Sequence, residues 1–306
     1  MQTMTTSESV TNIPTSARLA LPALVVGAIC IALSPVLVRM SEVGPVVTAF
    51  YRVTLALPVM LVWMLLEKRR VVAEEKHIIG GSPLWLLLPG VFFAGDLGFW
   101  HWSIQLTTIA NATLLCNLAP IYVTLVSALV FRERFRRNFI IALMLAIIGA
   151  AVLMSSSTAF GGQYLRGDIL GLITAVFYAA YLLTVGRLRT RYTTATIMFW
   201  SSLMASIVLL LVSVFTGVFD VPGTARAWGL LIVLALVSHL GGQGLIAYAL
   251  AHLSTAFSSL SLLIQPVVSA LLAWVLFNEA LGPIQMLGGI VVLSAIYLAR
   301  KASGSP

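Results

Sequence analysis

Charged residues are scarce in this chain, which has only 18 basic and 10 acidic side chains among 306 residues. Soluble globular domains usually have about a quarter of their residues charged, so the composition argues against that class. Hydrophobic residues make up 60% of the chain and fall in apolar runs of about 20 residues, the helix length that crosses the hydrocarbon core of a bilayer. The sequence therefore predicts an integral membrane protein.

Cysteine and histidine are also rare. The two cysteines, Cys30 and Cys116, both lie inside apolar runs and form neither a disulfide framework nor a metal-ligand pattern. The four histidines fall at scattered depths, whereas a zinc site needs three or four ligands in tetrahedral geometry. We therefore expect no metal and no other cofactor. The phosphate-binding pattern GxxxxGK[ST] is absent, so the chain does not hydrolyse ATP itself.

The apolar runs predict ten membrane-spanning helices joined by short connections. The expected ranges are 19–40, 45–66, 84–105, 109–130, 138–155, 168–187, 194–217, 228–251, 256–277 and 283–300. Residues 1–18 are expected to form a polar N-terminal tail and residues 301–306 a C-terminal tail. Short connections make consecutive helices antiparallel neighbours.

The basic residues predict the orientation in the membrane, because cytoplasmic loops carry an excess of Lys and Arg. If the N-terminus is cytoplasmic, 14 of the 18 basic residues fall in cytoplasmic segments; the others are Arg39, Arg166 and Arg226 outside and Arg52 within helix 2. Both termini are therefore predicted to be cytoplasmic. Since the basic residues lie in short loops rather than along one face, nucleic acid is not an expected partner.

The two halves of the chain repeat a pattern. A shift of 146 residues lays the segment from Asn111 to Phe135 on the segment from Phe257 to Leu281, so that Pro120 matches Pro266 and Glu133 matches Glu279. Each half then contains five helices, and an odd number reverses the direction of the second half. The sequence predicts an inverted repeat of residues 19–155 and 156–300, with a substrate site near the middle of the membrane between the halves.

These motifs carry a resemblance to a known family. NATLLCNLAPIYVTLVSALVFRERF, IQPVVSALLAWVLFNEALGPIQMLGG and the helix 2 stretch TAFYRVTLALP resemble segments of the EamA branch of the drug/metabolite transporter superfamily, which commonly has an Arg at the position of Arg52. The resemblance covers about residues 19–300. It implies ten helices around a central cavity and export from a bacterial cytoplasm across the inner membrane. The segment GDLGFWHWSI is more polar than the usual helix 3 of the family.

Two charged residues lie at matching depth inside the predicted membrane core. At 1.5 Å per residue, Asp96 lies roughly 18 Å from the cytoplasmic end of helix 3 and Arg52 roughly 10 Å from the external end of helix 2. An isolated charge at this depth costs about 2.5–3.5 kcal/mol or more. We therefore predict that Arg52 and Asp96 face the central cavity and pair. The alternative is an outward-reaching Arg52 with a protonated, structural Asp96. If transport is coupled to protons, Asp96 is the candidate carrier.

Further polar and aromatic side chains are candidates for the cavity wall. His101 and His239 are either cavity hydrogen-bonding groups or packing residues. Aromatic side chains usually lie at the membrane interface, but some here are grouped near the proposed cavity and suit an amphipathic or aromatic solute. The candidate substrate-binding residues are Tyr51, Arg52, Asp96, Trp100, His101, Trp200, His239, Gln243 and Tyr248.

Helices 4, 8 and 9 carry signals of local irregularity. In GGQGLIAY, residues 241–248, the glycines permit either close helix packing or a local unwinding that would make a flexible gate. Asn117, Pro120, Gln265 and Pro266 occupy helices 4 and 9, where each proline frees a backbone carbonyl and predicts a kink or gate.

The polar groups and the repeat together indicate a secondary transporter, an exporter of an amino acid or of an amphipathic or aromatic metabolite by alternating access. Its expected partners are a small-molecule substrate, membrane lipid and H⁺, and it is expected to be a monomer or homodimer. An intramembrane enzyme is the alternative, although an aspartyl protease needs two carboxylates and only Asp96 lies within a helix interior. A non-transporting membrane scaffold is also left open.

Overall fold

The computed structural model describes residues 19–73, 83–155, 162–277 and 282–303, and no β-strand occurs among these residues. Ten helices within them are long and apolar enough to cross a membrane. They are α1 (Ala20–Arg39), α2 (Pro45–Arg69), α3 (Leu84–Leu106), α4 (Ala110–Leu129), α5 (Arg137–Met154), α6 (Leu165–Leu188), α7 (Thr194–Phe215), α8 (Ala225–Ala249), α9 (Thr255–Leu272) and α10 (Pro283–Ser303).

The ten predicted helices are confirmed, with ends within a few residues of the predicted ones except at the end of α9, where the membrane span ends at Leu272 but helical structure continues to Phe277. At the C-terminus, α10 continues to Ser303, three residues into the segment that was predicted to be a tail. The predicted N-terminal tail, residues 1–18, lies outside the described residues, as do residues 156–161, where the second half was predicted to begin.

Four helices are broken just before a proline. The breaks lie at Leu33 in α1, at Leu55–Ala56 in α2, at Asn117–Leu118 in α4 and at Leu262–Leu263 in α9. Each is followed within two or three residues by a proline, Pro35, Pro58, Pro120 or Pro266. Proline has no N–H to donate to the carbonyl four residues earlier, and its ring clashes with that carbonyl. The breaks at Pro120 and Pro266 lie at matching places in the two halves.

Helices of one half pack against helices of the other half. α2 lies beside α7, and α5 lies along α10. α6 of the second half packs on α3 and α4 of the first, and α1 of the first half packs on α8 and α9 of the second. This exchange of partners is the arrangement expected of two inverted five-helix repeats around a central cavity.

One helix departs from the symmetry. The middle of α8, Leu234–Gln243, is π-helical between two regular α-helical segments, whereas α3, its counterpart, is regular from Leu88 to Leu106. π-Helical turns within α-helices occur frequently at functional sites. Here the π-segment carries His239 and Gln243.

The glycines of α8 are used for close packing against α1. A Cβ atom at Gly27 would lie 2.8 Å from the carbonyl oxygen of Gly242, and a Cβ at Gly242 would lie 2.6 Å from Ile31 Cγ1. The Ser238 hydroxyl donates a hydrogen bond of 3.0 Å to the Cys30 carbonyl across the same contact. The backbones of α1 and α8 therefore approach closely, the first of the two roles that the sequence left open for these glycines.

Candidate functional site

The central cavity lies between the two halves of the chain and is lined by residues of both. Its wall is built from α1, α2, α3, α4, α6, α8 and α9. The polar lining residues are Arg52, Asp96, Trp100, Thr113, Cys116, Asn117, Tyr178, Gln243, Gln265 and Ser269. The apolar ones include Ile31, Pro35 and Leu97.

The breaks in α1, α4 and α9 shape this wall. Pro35, Asn117 and Gln265 lie at or just after the breaks and all line the cavity. Across the α1 break, the Ser269 hydroxyl of α9 donates to the Ala32 carbonyl over 3.0 Å. An irregular backbone inside a membrane is tolerated where it lines a cavity and neighbouring groups satisfy it.

Arg52 and Asp96 both line this cavity. Arg52 is 2% exposed and Asp96 6% exposed, so both charges are removed from bulk solvent. The Arg52 Nε–H has no hydrogen-bond partner among the described residues. A direct bond between the two side chains therefore stays a prediction, but both charges line the same small space.

Several other buried polar atoms on the cavity wall have no hydrogen-bond partner within the described part of the chain. They are Trp100 Nε1, Thr113 Oγ1, the Tyr178 hydroxyl and Gln243 Oε1. Buried polar atoms in native proteins are nearly always hydrogen-bonded, and a buried donor or acceptor without a partner costs about 1–3 kcal/mol. These groups are thus available to a polar solute that enters the cavity.

Other predicted site residues lie behind the cavity wall, where their side chains have partners. His101 is fully buried, and its Nδ1–H donates to the Pro45 carbonyl over 3.0 Å, which fixes the start of α2 against α3. His239 Nε2 lies 2.8 Å from the Ser202 hydroxyl, and its ring stacks on Phe93 at 5.2 Å between centroids. His101 Nε2 and His239 Nδ1 are buried without a hydrogen-bond partner among the described residues, so a cavity hydrogen-bonding role of either histidine stays a prediction.

The three remaining predicted aromatic residues are also outside the lining. The Tyr51 ring packs edge-on against Trp228, with 5.3 Å between centroids. Trp200 is half-buried beside Phe199, and the half-buried Tyr248 ring lies against His252. Pro120 and Pro266 act on the wall through the helix breaks that precede them.

The lining also contains residues that sequence reasoning missed. Tyr178, Thr113, Cys116 and Ser269 are cavity residues that were not among the candidates. A spacing signal existed for Thr113, which lies one helical turn before Asn117 and so shares its face. Tyr178 had no such signal, because an isolated tyrosine in an apolar helix looks like a packing or interfacial residue.

Several contacts join the helices at the end of the bundle where the chain leaves α2 and enters α7. There α4 packs against the first segment of α9, Thr255–Ser261. Arg189 Nε donates to the Ala247 carbonyl over 3.1 Å, and Glu67 Oε2 accepts the Ala195 N–H over 3.1 Å. Burial lowers the pKa of the Arg189 guanidinium, and the nearby Glu67 carboxylate opposes that shift.

Comparisons with known proteins agree with this architecture. The model of the EamA-like transporter family matches residues 18–155 and again residues 165–300. The pseudopaline exporter CntI of Pseudomonas aeruginosa is 28% identical over 250 residues, which cover 81% of this chain and 84% of the exporter. A probable terminal-alkyne amino-acid exporter of Streptantibioticus cattleyicolor is 27% identical over 205 residues, 66% of this chain and 67% of that protein.

The fold is also similar to a solved one. A crystal structure with 18% sequence identity superposes with a TM-score of 0.74, covering 95% of this chain and 98% of the other. Together with the family match in both halves, the ten membrane-spanning helices and the cavity between them confirm the resemblance seen in the sequence. The chain is a multi-pass membrane protein and belongs to the EamA-like transporter family.

Proposed function

We propose that this protein exports a small organic metabolite with both an amino and a carboxyl group, by alternating access around the central cavity. The observation that carries the proposal is the burial of one cation, Arg52, and one anion, Asp96, in the wall of the same cavity. Ionisable residues inside a membrane are costly and usually mark a substrate or ion pathway. The names of two relatives, a pseudopaline exporter and a probable amino-acid exporter, support the substrate class.

The order of polar groups along the cavity supports an elongated solute with opposite ends. Measured along the helices at 1.5 Å per residue, Thr113, Trp100 and Arg52 lie roughly 5–10 Å from the end of the bundle that holds the α1–α2 loop. Asp96 lies roughly 15 Å from that end. The cation Arg52 thus lies further out than the anion Asp96, which suits a carboxylate outward and an amine inward.

The orientation that suits this role places both termini in the cytoplasm of a bacterial inner membrane. The basic loops then face the cytoplasm, in keeping with the excess of Lys and Arg that cytoplasmic loops carry. Membrane lipid surrounds the outer helix faces, and the protein acts as a monomer or homodimer.

A flux assay tests transport directly. Inside-out membrane vesicles containing the protein are supplied with a panel of radiolabelled amino acids, and accumulation is compared with vesicles containing the Arg52→Leu variant. We expect at least one member of the panel to accumulate only with the wild-type protein. Equal accumulation for every member would contradict export of amphoteric metabolites.

Proton coupling is the second part of the proposal, with Asp96 as the carrier. In the Asp96→Asn variant, the side chain no longer binds and releases a proton, so we expect the dependence of flux on an imposed pH gradient to disappear. Asp220→Asn serves as the matched control, because Asp220 is exposed and its Oδ1 accepts the neighbouring Val221 N–H. If Asp96→Asn retains a wild-type response to the gradient, Asp96 is not the proton carrier.

A further inference from the structure

Four aromatic rings form a continuous stack from the protein core to the central cavity. The His239 and Phe93 rings are 5.2 Å apart, and the Phe93 and Tyr181 rings 4.7 Å. The Tyr181 and Tyr178 rings follow at 6.2 Å, with an angle of 14° between their planes. This aromatic stack joins α8, α3 and α6, and its last ring, Tyr178, belongs to the cavity wall.

The inner members of the aromatic stack are fixed by their own contacts. His239 Nε2 is 2.8 Å from the Ser202 hydroxyl, and the Tyr181 hydroxyl donates to Met198 Sδ at 3.9 Å. Phe93 is 1% exposed and lies between the other two rings. Tyr178 therefore rests on an ordered base, which restricts the position of its hydroxyl group.

The Tyr178 hydroxyl and the Gln243 side chain are neighbours on the cavity wall. Among the described residues, neither the Tyr178 hydroxyl nor Gln243 Oε1 has a hydrogen bond of normal geometry. Asp96 lines the same cavity. Three side chains whose oxygen atoms accept hydrogen bonds thus line one cavity from three helices, α3, α6 and α8.

We propose that Tyr178 is a specificity-determining residue, which recognises the amino group of the solute together with Asp96 and Gln243. The inference rests on the proposed transport function and adds a residue that contacts the solute. A protonated amine has three N–H donors and no acceptor. Asp96 supplies the negative charge, while Gln243 Oε1 and the Tyr178 oxygen accept the two remaining N–H groups.

The ring of Tyr178 gives this recognition its selectivity. Because the aromatic stack holds the ring, the hydroxyl oxygen cannot withdraw from a solute that lacks the amine. A solute without N–H donors then leaves Asp96, Gln243 and Tyr178 without partners. Sites built to hydrogen-bond a polar group reject analogues that lack it for this reason.

The test uses Cys116 as a reporter of cavity occupancy. Substitution of the other cysteine, Cys30→Ala, leaves Cys116, which lines the cavity, as the only thiol of the chain. The rate at which a methanethiosulfonate reagent modifies Cys116 is measured in the presence of each of three probe solutes, which slow the reaction if they occupy the cavity. Phenylalanine has both charged ends, phenethylamine has only the amine, and 3-phenylpropionate has only the carboxylate.

In the Tyr178→Phe variant we expect a weaker protection of Cys116 by the two amines. The concentration of phenylalanine or phenethylamine that halves the rate of Cys116 modification should rise about tenfold, because a hydrogen bond to a charged group is lost. Protection by 3-phenylpropionate should stay within about twofold, because the ring and the Arg52 region are retained. Tyr297→Phe is the control: Tyr297 lies on α10, 60% exposed, and should leave all three probes unchanged. The thermal unfolding midpoint of each variant verifies that the fold is intact.

Two results would overturn the inference. One is an equal change, or no change, for all three probes in Tyr178→Phe, since a purely structural residue does not discriminate between them. The other is a wild-type protein that phenethylamine and phenylalanine fail to protect. Solute accumulation in the vesicle assay would then still support export, so failure of the amine assignment is distinguishable from failure of the proposed function.

Discussion

The Arg52→Leu variant is expected to lose transport by at least about 100-fold, because a buried guanidinium supplies charge-assisted hydrogen bonds that a leucine cannot replace. Flux in inside-out vesicles measures the loss. Arg226→Leu is the control, since Arg226 is exposed and does not line the central cavity. Flux within threefold of wild type in Arg52→Leu would contradict the assignment of Arg52 to the solute site.

Combined substitution of Arg52 and Asp96 separates the role of Arg52 in transport from its role in folding. Arg52→Leu leaves Asp96 as an uncompensated buried charge, and removal of one partner of a buried pair typically costs about 3–5 kcal/mol. In the double variant Arg52→Leu/Asp96→Leu, the buried charge is also removed. We expect the thermal unfolding midpoint to recover while flux remains absent.

Gly90→Ala is expected to destabilise the fold by about 1–3 kcal/mol, the usual cost of overpacking a filled interior. A Cβ atom at this position of α3 would meet the Ser201 carbonyl oxygen of α7 and would lie 2.6 Å from Met204 Cβ. A backbone carbonyl in a packed helix has no room to withdraw, so α3 and α7 must separate. A lowered thermal unfolding midpoint in detergent is the measurement.

Gly98→Ala on the same helix is the matched control. The nearest atom to a Cβ at Gly98 is Leu209 Cδ2 at 3.8 Å, an ordinary contact distance. Alanine has a higher helix propensity than glycine by about 1 kcal/mol, so this variant should be neutral or slightly more stable. Equal midpoints for Gly90→Ala and Gly98→Ala would show that the α3–α7 contact tolerates a methyl group.

The fold was largely predictable from the sequence because its determinants are local. Each membrane span is a run of apolar residues, and each break comes just before a proline. The inverted repeat was visible because Pro120 and Pro266 lie at corresponding places. The π-segment of α8 was anticipated only as the local unwinding that the glycines of GGQGLIAY permit, because the same glycines fit a regular, closely packed helix equally well.

The cavity was predictable only in part, because depth does not specify the direction in which a side chain points. Arg52, Asp96, Trp100 and Gln243 were placed in the wall on grounds of depth and polarity, and they line it. His101 was placed with them but lies behind the wall. Five residues along a helix from Asp96, it is rotated by about 140° from the acid, whereas Trp100 is rotated by only about 40°.

One consequence of the opposite charges of Arg52 and Asp96 concerns the electrical work of a transport cycle. With Arg52 protonated and Asp96 ionised, the formal charges of the cavity residues sum to zero, as do those of a zwitterionic solute. Each elementary charge carried across the bilayer exchanges about 2.3 kcal/mol per 100 mV with the membrane potential. The membrane potential therefore does no work on the export of such a solute alone. If the flux depends on the membrane potential, the strength of that dependence gives the net charge of the ions that are transported with the solute.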